Sequence, residues 1–158
     1  MKKIDQSWDD RLATTLREKL KDDSLRLQAF EQLLSALLEH DPNKSIPNAT
    51  ALFIGGIKGA DADLKRVKVA KVLLELAAAQ SWATVWAAIQ KDNAFGRRLL
   101  AELAHEEPLS QVPRLTTSLD PHDVGQLFIW LEREFPHTED PKEAIQLRSS
   151  SLQRLLWA

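Results

Sequence analysis

Residues 119–141 read LDPHDVGQLFIWLEREFPHTEDP, and this stretch has the marks of one helix from its start to its end. Asp120 can accept hydrogen bonds from the free backbone amides of a first turn, and Pro121 suits the first helical position. Pro136 ends the predicted helix, because proline disfavours a helical conformation in the residue before it. The segment therefore predicts a helix, and its centre is more apolar than a one-sided surface helix requires.

Helical spacing of apolar residues continues along almost the whole chain of 158 residues, which contains only five glycines. The pattern predicts about eight helices, which start near Ser7, Ser24, Asn48, Asp61, Ser81, Asn93, Asp120 and Asp140. Residues 48–57 are the one place where a β-strand is a serious alternative, because a short apolar run suits either structure. Residues 106–118 contain two prolines and are predicted to be a connector.

Short links between the predicted helices favour antiparallel pairs. Four such pairs, placed side by side, form a short HEAT-like α-solenoid. An irregular helical bundle is the alternative, since the repeat spacing along the chain is uneven. The length suits one domain, so the expected organisation is a single all-α, repeat-like domain over residues 1–158.

The composition restricts the compartment and the kind of chemistry. The chain has no cysteine, which excludes a disulfide framework and a cysteine-based zinc site. No apolar run follows the first residues, and no run approaches the roughly 18 apolar residues of a membrane span. We therefore expect a cytoplasmic protein without a membrane partner.

The sequence contains no recognisable catalytic or cofactor-binding motif. The four histidines, His40, His105, His122 and His137, lie far apart and form no known metal-ligand spacing. The glycine-rich segment 55–59 lacks the residue order of a phosphate-binding loop, so we interpret it as a turn. Neighbouring carboxylates on a helix do not face one another, which disfavours an acid-base pair. We expect no catalytic residue, no metal site and no cofactor, and hence no enzyme.

Two residues of the 119–141 segment are candidates for binding a partner. At about 100° per residue, the main apolar face contains Val124, Leu127, Phe128, Leu131 and Phe135. Ile129 and Trp130 lie off this face on opposite flanks. Neighbouring helices bury both residues if they cover this helix on several sides, as in a solenoid. If the two are exposed instead, they form a partner-binding surface, with Trp130 as the leading anchor.

The alternative partner is a nucleic acid, bound by a basic cluster on residues 58–71. The cluster consists of Lys58, Lys65, Arg66, Lys68 and Lys71. No aromatic residue interleaves with these cations, so a base-stacking platform is missing. The formal net charge of −2 also argues against a surface built for phosphates. A solvated helix face is the simpler interpretation, and nucleic acid is not the favoured partner.

Two stretches of the chain, residues 81–104 and 119–141, resemble a region of large bacterial NACHT-type NTPases of the STAND class. The residues that carry the resemblance are Trp82, Val85, Trp86, Ile89, Asp92, Phe95, Gly96, Leu127, Ile129, Trp130, Leu131, Pro136, Glu139, Asp140 and Pro141. The resemblance covers about half of the chain, and the spacing of its tryptophans and prolines is its distinctive part.

In that class, a helical array follows the nucleotide-binding module and is usually regarded as the part that senses a trigger. Many members act in defence against phage. The resemblance therefore implies a helical-repeat module without the nucleotide-binding module. This helical-repeat module is expected to bind a protein partner or trigger. No nucleotide-binding module precedes the region here, and family members generally continue with more helices, so we expect a fragment of a longer polypeptide. No catalytic residue is implied for this chain.

Overall fold

The computed structural model of the chain describes the backbone of residues 2–104 and 119–134, and the side chains of residues 10–103 and 119–134. The described residues contain six α-helices: α1 (Lys2–Leu20), α2 (Leu27–His40), α3 (Ser45–Ile54), α4 (Ala62–Lys91), α5 (Asn93–Ala104) and α6 (Pro121–Glu134). A 3-10 turn, Pro42–Lys44, joins α2 to α3. No strand occurs among these residues, and the all-α fold predicted from the sequence is confirmed.

The chain divides into two compact units, Met1–Leu73 and Leu74–Ala158. The boundary falls inside α4. The predicted connector at residues 106–118 and the final helix predicted from Asp140 lie outside the described residues. The stacked antiparallel pairs and the single domain therefore stay predictions.

The first unit has its core between α1, α2 and the first half of α4. Helix α1 packs against α2. The buried side chains that fill this core include Leu16, Leu20, Phe30, Leu34, Leu37, Val67, Ala70 and Leu73. They recur at the three- and four-residue intervals that place side chains on one face of a helix.

Residues 45–54 form a helix, so the strand alternative for this segment was wrong. Ala49 and Phe53 are buried four residues apart, which is the spacing of one helix face. The helix ends at Ile54 and is followed by Gly55 as its C-cap; Gly56 then has a φ of 78°, a conformation that favours glycine. The apolar run was ambiguous in sequence because it is only about one strand length.

The start of α2 is capped from a distant part of the chain. Ser24, predicted to cap this helix, instead donates both its amide and its hydroxyl to Asp22 Oδ1, at 2.9 and 2.7 Å. The helix begins three residues later, at Leu27, whose amide donates to Asp61 Oδ2 at 3.0 Å. Asp61 thereby joins the start of α2 to the segment that leads into α4.

Helix α4 is broken at Ala77, whose φ of −157° and ψ of 67° are not helical. The sequence predicted a helix that ends near residue 79 and a second one capped by Ser81. Ser81 instead lies inside the second half of α4 and is buried. The break is real but lies four residues earlier, in an alanine run that contains no glycine or proline to mark it.

Two predicted helix starts agree with the structure. At α6, Asp120 accepts a hydrogen bond from the amide of Asp123 at 2.9 Å, and Pro121 is the first helical residue. Helix α5 begins at Asn93 as predicted, but the capping side chain is the preceding Asp92, which accepts from the amide of Phe95 at 3.1 Å.

Helix α4 is long and apolar enough, by length and composition, to cross a membrane. This differs from the expectation that no segment approaches a span. The core helices of soluble proteins satisfy the same criterion, and Val67, Val69 and Leu73 of α4 are completely buried. The break at Ala77 also interrupts the continuous helix that a span of about 20 residues needs. The length and composition of α4 are therefore only weak evidence for a membrane segment.

Candidate interaction surfaces

Three tryptophans form the centre of the second unit. The rings of Trp82 and Trp86 stack with centroids 5.5 Å apart and planes at 19°. Trp86 and Trp130 meet edge to face, with centroids 6.4 Å apart and planes at 73°. Both are arrangements that aromatic quadrupoles favour. Trp82 and Trp130 are buried, while Trp86 is only half-buried and so also takes part in the surface.

Gly96 lets Trp130 approach the backbone of α5. A Cβ atom at this position would lie 2.7 Å from Ile89 Cγ2 and 2.9 Å from Trp130 Cζ2, closer than real Cβ contacts. The indole of Trp130 therefore occupies space that any side chain at position 96 would need. Gly96, Ile89 and the tryptophans thus belong to one packing arrangement that fixes α6 against α5 and the second half of α4.

The buried face of α6 differs from the one predicted. It contains Leu127, Trp130 and Leu131, which are at most 3% exposed. Phe128, predicted on the main apolar face, is 43% exposed. The proposed role of Trp130 as an exposed anchor is therefore corrected: its side chain fills the core beside Gly96 and is only 3% exposed.

Ile129 is the exposed member of the predicted pair. Its side chain is 64% exposed. It lies roughly opposite Leu127, because two residues at about 100° each amount to about half a helical turn. It borders a shallow cleft of about 250 Å³, whose lining consists of Trp86, Gln90, Gln126, Ile129, Trp130 and Arg133. We call Ile129 with this cleft the α6 surface. It combines an exposed aliphatic group, the edge of an aromatic cluster and polar side chains.

Charged contacts hold the last turn of α6 in place. Arg97 of α5 donates from Nη2 to the carbonyl oxygen of Glu134 at 2.7 Å, and its Nε lies 3.3 Å from Glu134 Oε2. Arg133 Nε donates to Glu134 Oε1 at 3.2 Å. An arginine near a helix C-terminus also interacts favourably with the helix dipole. The α6 surface therefore lies on a helix that is fixed at its end and along its buried face.

The basic cluster of residues 58–71 is not one exposed surface. Lys65 is only 1% exposed, with its ammonium group 5.5 Å from the centre of the Phe30 ring. The guanidinium of Arg66 lies 5.7 Å from the centre of the Phe53 ring, and Lys68 pairs with Glu31 at 3.5 Å. Lys71 is half-buried, and Lys58 is the exposed member of the cluster. Phosphate binding needs accessible cations, and Lys65 is not one of them; the nucleic-acid alternative otherwise stays a prediction.

The glycine-rich segment 55–59 serves as a turn that packs on the loop after α1. The amide of Ala60 donates to the carbonyl oxygen of Asp23 at 2.8 Å. Gly59 has a φ of 83°, and a Cβ atom there would overlap the same carbonyl oxygen. Glycine is required here by close backbone approach, which agrees with the interpretation of this segment as a turn.

The titratable residues singled out in the sequence stay separate where the structure describes them. His40 is the last residue of α2, and His122 lies in the first turn of α6; His105 and His137 lie outside the described residues. Within the described ranges, no group of three histidine, aspartate or glutamate side chains is placed to hold a metal ion. Asp61, which was predicted to start the long fourth helix, caps α2.

Comparison of the chain with models of protein families, with curated proteins and with solved structures finds no match. The resemblance to the NACHT-type region therefore rests on the residues that carry it.

Proposed function

We propose that this chain is a non-catalytic protein-interaction module, which binds its partner through the α6 surface. The observation that carries this proposal is the exposure of Ile129, at 64%, on a helix whose other side is firmly packed. An aliphatic side chain held on a rigid element loses little conformational entropy on binding. The half-buried Trp86 beside it supplies the aromatic surface that is common in the centre of interfaces.

We further propose that the module is the sensor part of a bacterial NACHT-type NTPase and acts in antiphage defence in the cytoplasm. The support is the resemblance in residues 81–104 and 119–141. Several residues of that pattern contact one another in a single core, namely Trp82, Trp86, Ile89, Gly96 and Trp130. Residues that pack together constrain one another's size and shape. Their joint occurrence therefore supports the resemblance more strongly than the leucines of the same helices do. A HEAT-like stacking of helix pairs is part of this proposal.

The experiment replaces Ile129 by aspartate in the full-length parent protein and challenges the producing cells with phage. A charge at the centre of an apolar contact should abolish protection, because the loss of one hot-spot side chain can exceed about 2 kcal/mol. The melting temperature should change little, since Ile129 packs against no core. The control is Ile54→Asp, which changes an isoleucine of the other unit that is equally exposed, at 68%.

Protection that survives in Ile129→Asp, or that is lost equally in Ile54→Asp, argues against the α6 surface. The link to NACHT-type proteins is tested separately by the genomic reading frame upstream of the codon for Met1. An in-frame phosphate-binding loop motif supports that link, and a stop codon with a separate promoter contradicts it.

A further inference from the structure

The first unit contains a cavity of about 400 Å³ between the end of α1, helix α3 and the start of α4. Its apolar wall consists of Leu20, Ala51, Leu52 and Ile57. The volume lies within the range of roughly 300–1,000 Å³ that is typical of small-molecule sites, and such sites combine apolar walls with a few polar groups. The cavity therefore has the size and lining of a ligand site.

The polar group that distinguishes this cavity is Lys65. The residue lines the cavity yet is only 1% exposed. Among the described residues, no carboxylate pairs with its ammonium group, whose recorded neighbour is the ring of Phe30 at 5.5 Å. Burying an ammonium group without a counter-charge is expensive, and a cation–π contact offsets only part of this penalty. An apolar side chain of similar volume would satisfy the fold at a lower free energy.

Among the other charged groups around the cavity, Asp22 interacts electrostatically with Lys65 but forms no ion pair with it. Asp22 is exposed at the rim and already accepts both hydrogen bonds from Ser24. Arg17 is directed to Asn48, at 3.2 Å, and to Asp41, at 3.7 Å. Four cationic side chains line the cavity, but Arg17 and Lys21 pair with Asp41 and Glu18, which lie outside the lining. Lys65 lines the cavity and forms no ion pair with any described residue, so it is the cation that could hold a negative group there.

We propose that this cavity binds a small organic anion, a carboxylate with an apolar body, whose charged group pairs with Lys65. The body of the ligand packs against Leu20, Leu52 and Ile57. The site lies in the unit 1–73, whereas the α6 surface lies in the unit 74–158. The two proposals therefore stand on different residues, and either can fail without the other.

The test uses octanoate as the anion, with 1-octanol and octylammonium as neutral and cationic ligands of the same chain length. Binding is followed on the unmodified chain by the backbone amide NMR signals of Gly56 and Ile57. Octanoate should shift these signals saturably at millimolar concentrations, and the other two ligands should bind about tenfold more weakly or not at all, because each lacks the negative group. Absence of saturable octanoate binding, or equal binding of octanol, overturns the proposal.

The matched variants are Lys65→Met and Lys44→Met, the latter at an exposed lysine outside the cavity. Lys65→Met should weaken octanoate binding about tenfold or more, while the melting temperature of the free protein rises, because the unpaired buried charge is gone. Lys44→Met should change neither quantity. A Lys65→Met protein that binds octanoate normally, or that melts at a lower temperature than the unmodified chain, shows that the lysine serves the core and overturns the proposal.

Discussion

At the scale of single residues, Asp22 shows how a local turn changes the chemistry of one group. The hydroxyl of Ser24 and then its amide donate to the carboxylate of Asp22, which lowers the pKa of Asp22, with a smaller contribution from the positive charge of Lys65. A pKa that is lower in the folded chain stabilises the fold above the pKa of the unfolded chain. This contribution is lost as the pH falls through the lower, folded value.

Ser24→Ala should therefore raise the pKa of Asp22 part of the way toward its ordinary value, because the hydroxyl bond is lost and the amide bond stays. The measurement is a titration of the Asp22 side-chain carboxyl carbon by NMR. Stability of the variant should fall below that of the unmodified chain at neutral pH and approach it in acid. Ser35→Ala, at an exposed serine of α2, is the control. An unchanged Asp22 titration in Ser24→Ala would contradict the assigned cause.

The burial of Lys65 could not be predicted from the sequence. Lysine is almost never fully buried, so its assignment to an exposed basic cluster followed from ordinary behaviour. Its position in the core results from Phe30 and from the loop of residues 21–23, both of which lie far away in the sequence. For the same reason, the capping of α2 by Asp61 could not be predicted, since local sequence suggested Ser24.

At the scale of helices, two glycines distinguish the effect of helix propensity on stability from the effect of side-chain packing. Gly125 lies in α6 with nothing within 4 Å of a Cβ atom built on it, whereas a Cβ atom on Gly96 would collide with Ile89 and Trp130. Gly125→Ala should raise the free energy of unfolding by about 0.5–1 kcal/mol, because alanine is the better helix former. Gly96→Ala should lower it by about 1–3 kcal/mol, because the overpacking outweighs that gain.

Chemical denaturation of both variants measures these values. The two substitutions are chemically identical and both occur in helices, so each controls for the other. Two changes of the same sign would mean that Trp130 does not lie against Gly96, and the packing described for α6 would be wrong.

The helices themselves were largely predictable, and the orientation of α6 was not. Asp120 and Pro121 mark its start locally, so the element could be located from the sequence alone. Its buried face was predicted only in part: Leu127 and Leu131 are buried as expected, but spacing did not decide between Phe128 and Trp130. The choice depends on Gly96, which leaves room for Trp130 and thereby turns Ile129 toward solvent.

At the scale of the whole molecule, the break at Ala77 lies close to the boundary between the two compact units, which follows Leu73. The alanines and leucines around it all favour helix, so no residue signals the break, and its position depends on the packing of each half of α4. The two proposed sites are divided between the units. The cavity with Lys65 lies in the first, and the α6 surface lies in the second.

The central claim is that the α6 surface contacts a protein partner, and site-specific photo-crosslinking tests it most directly. A photoreactive phenylalanine analogue is placed at position 129, and at position 54 as the equally exposed control, in the parent protein expressed in its own host during phage challenge. We predict one discrete crosslinked product from position 129 that is absent from position 54. No product from position 129, or the same products from both positions, would contradict the account.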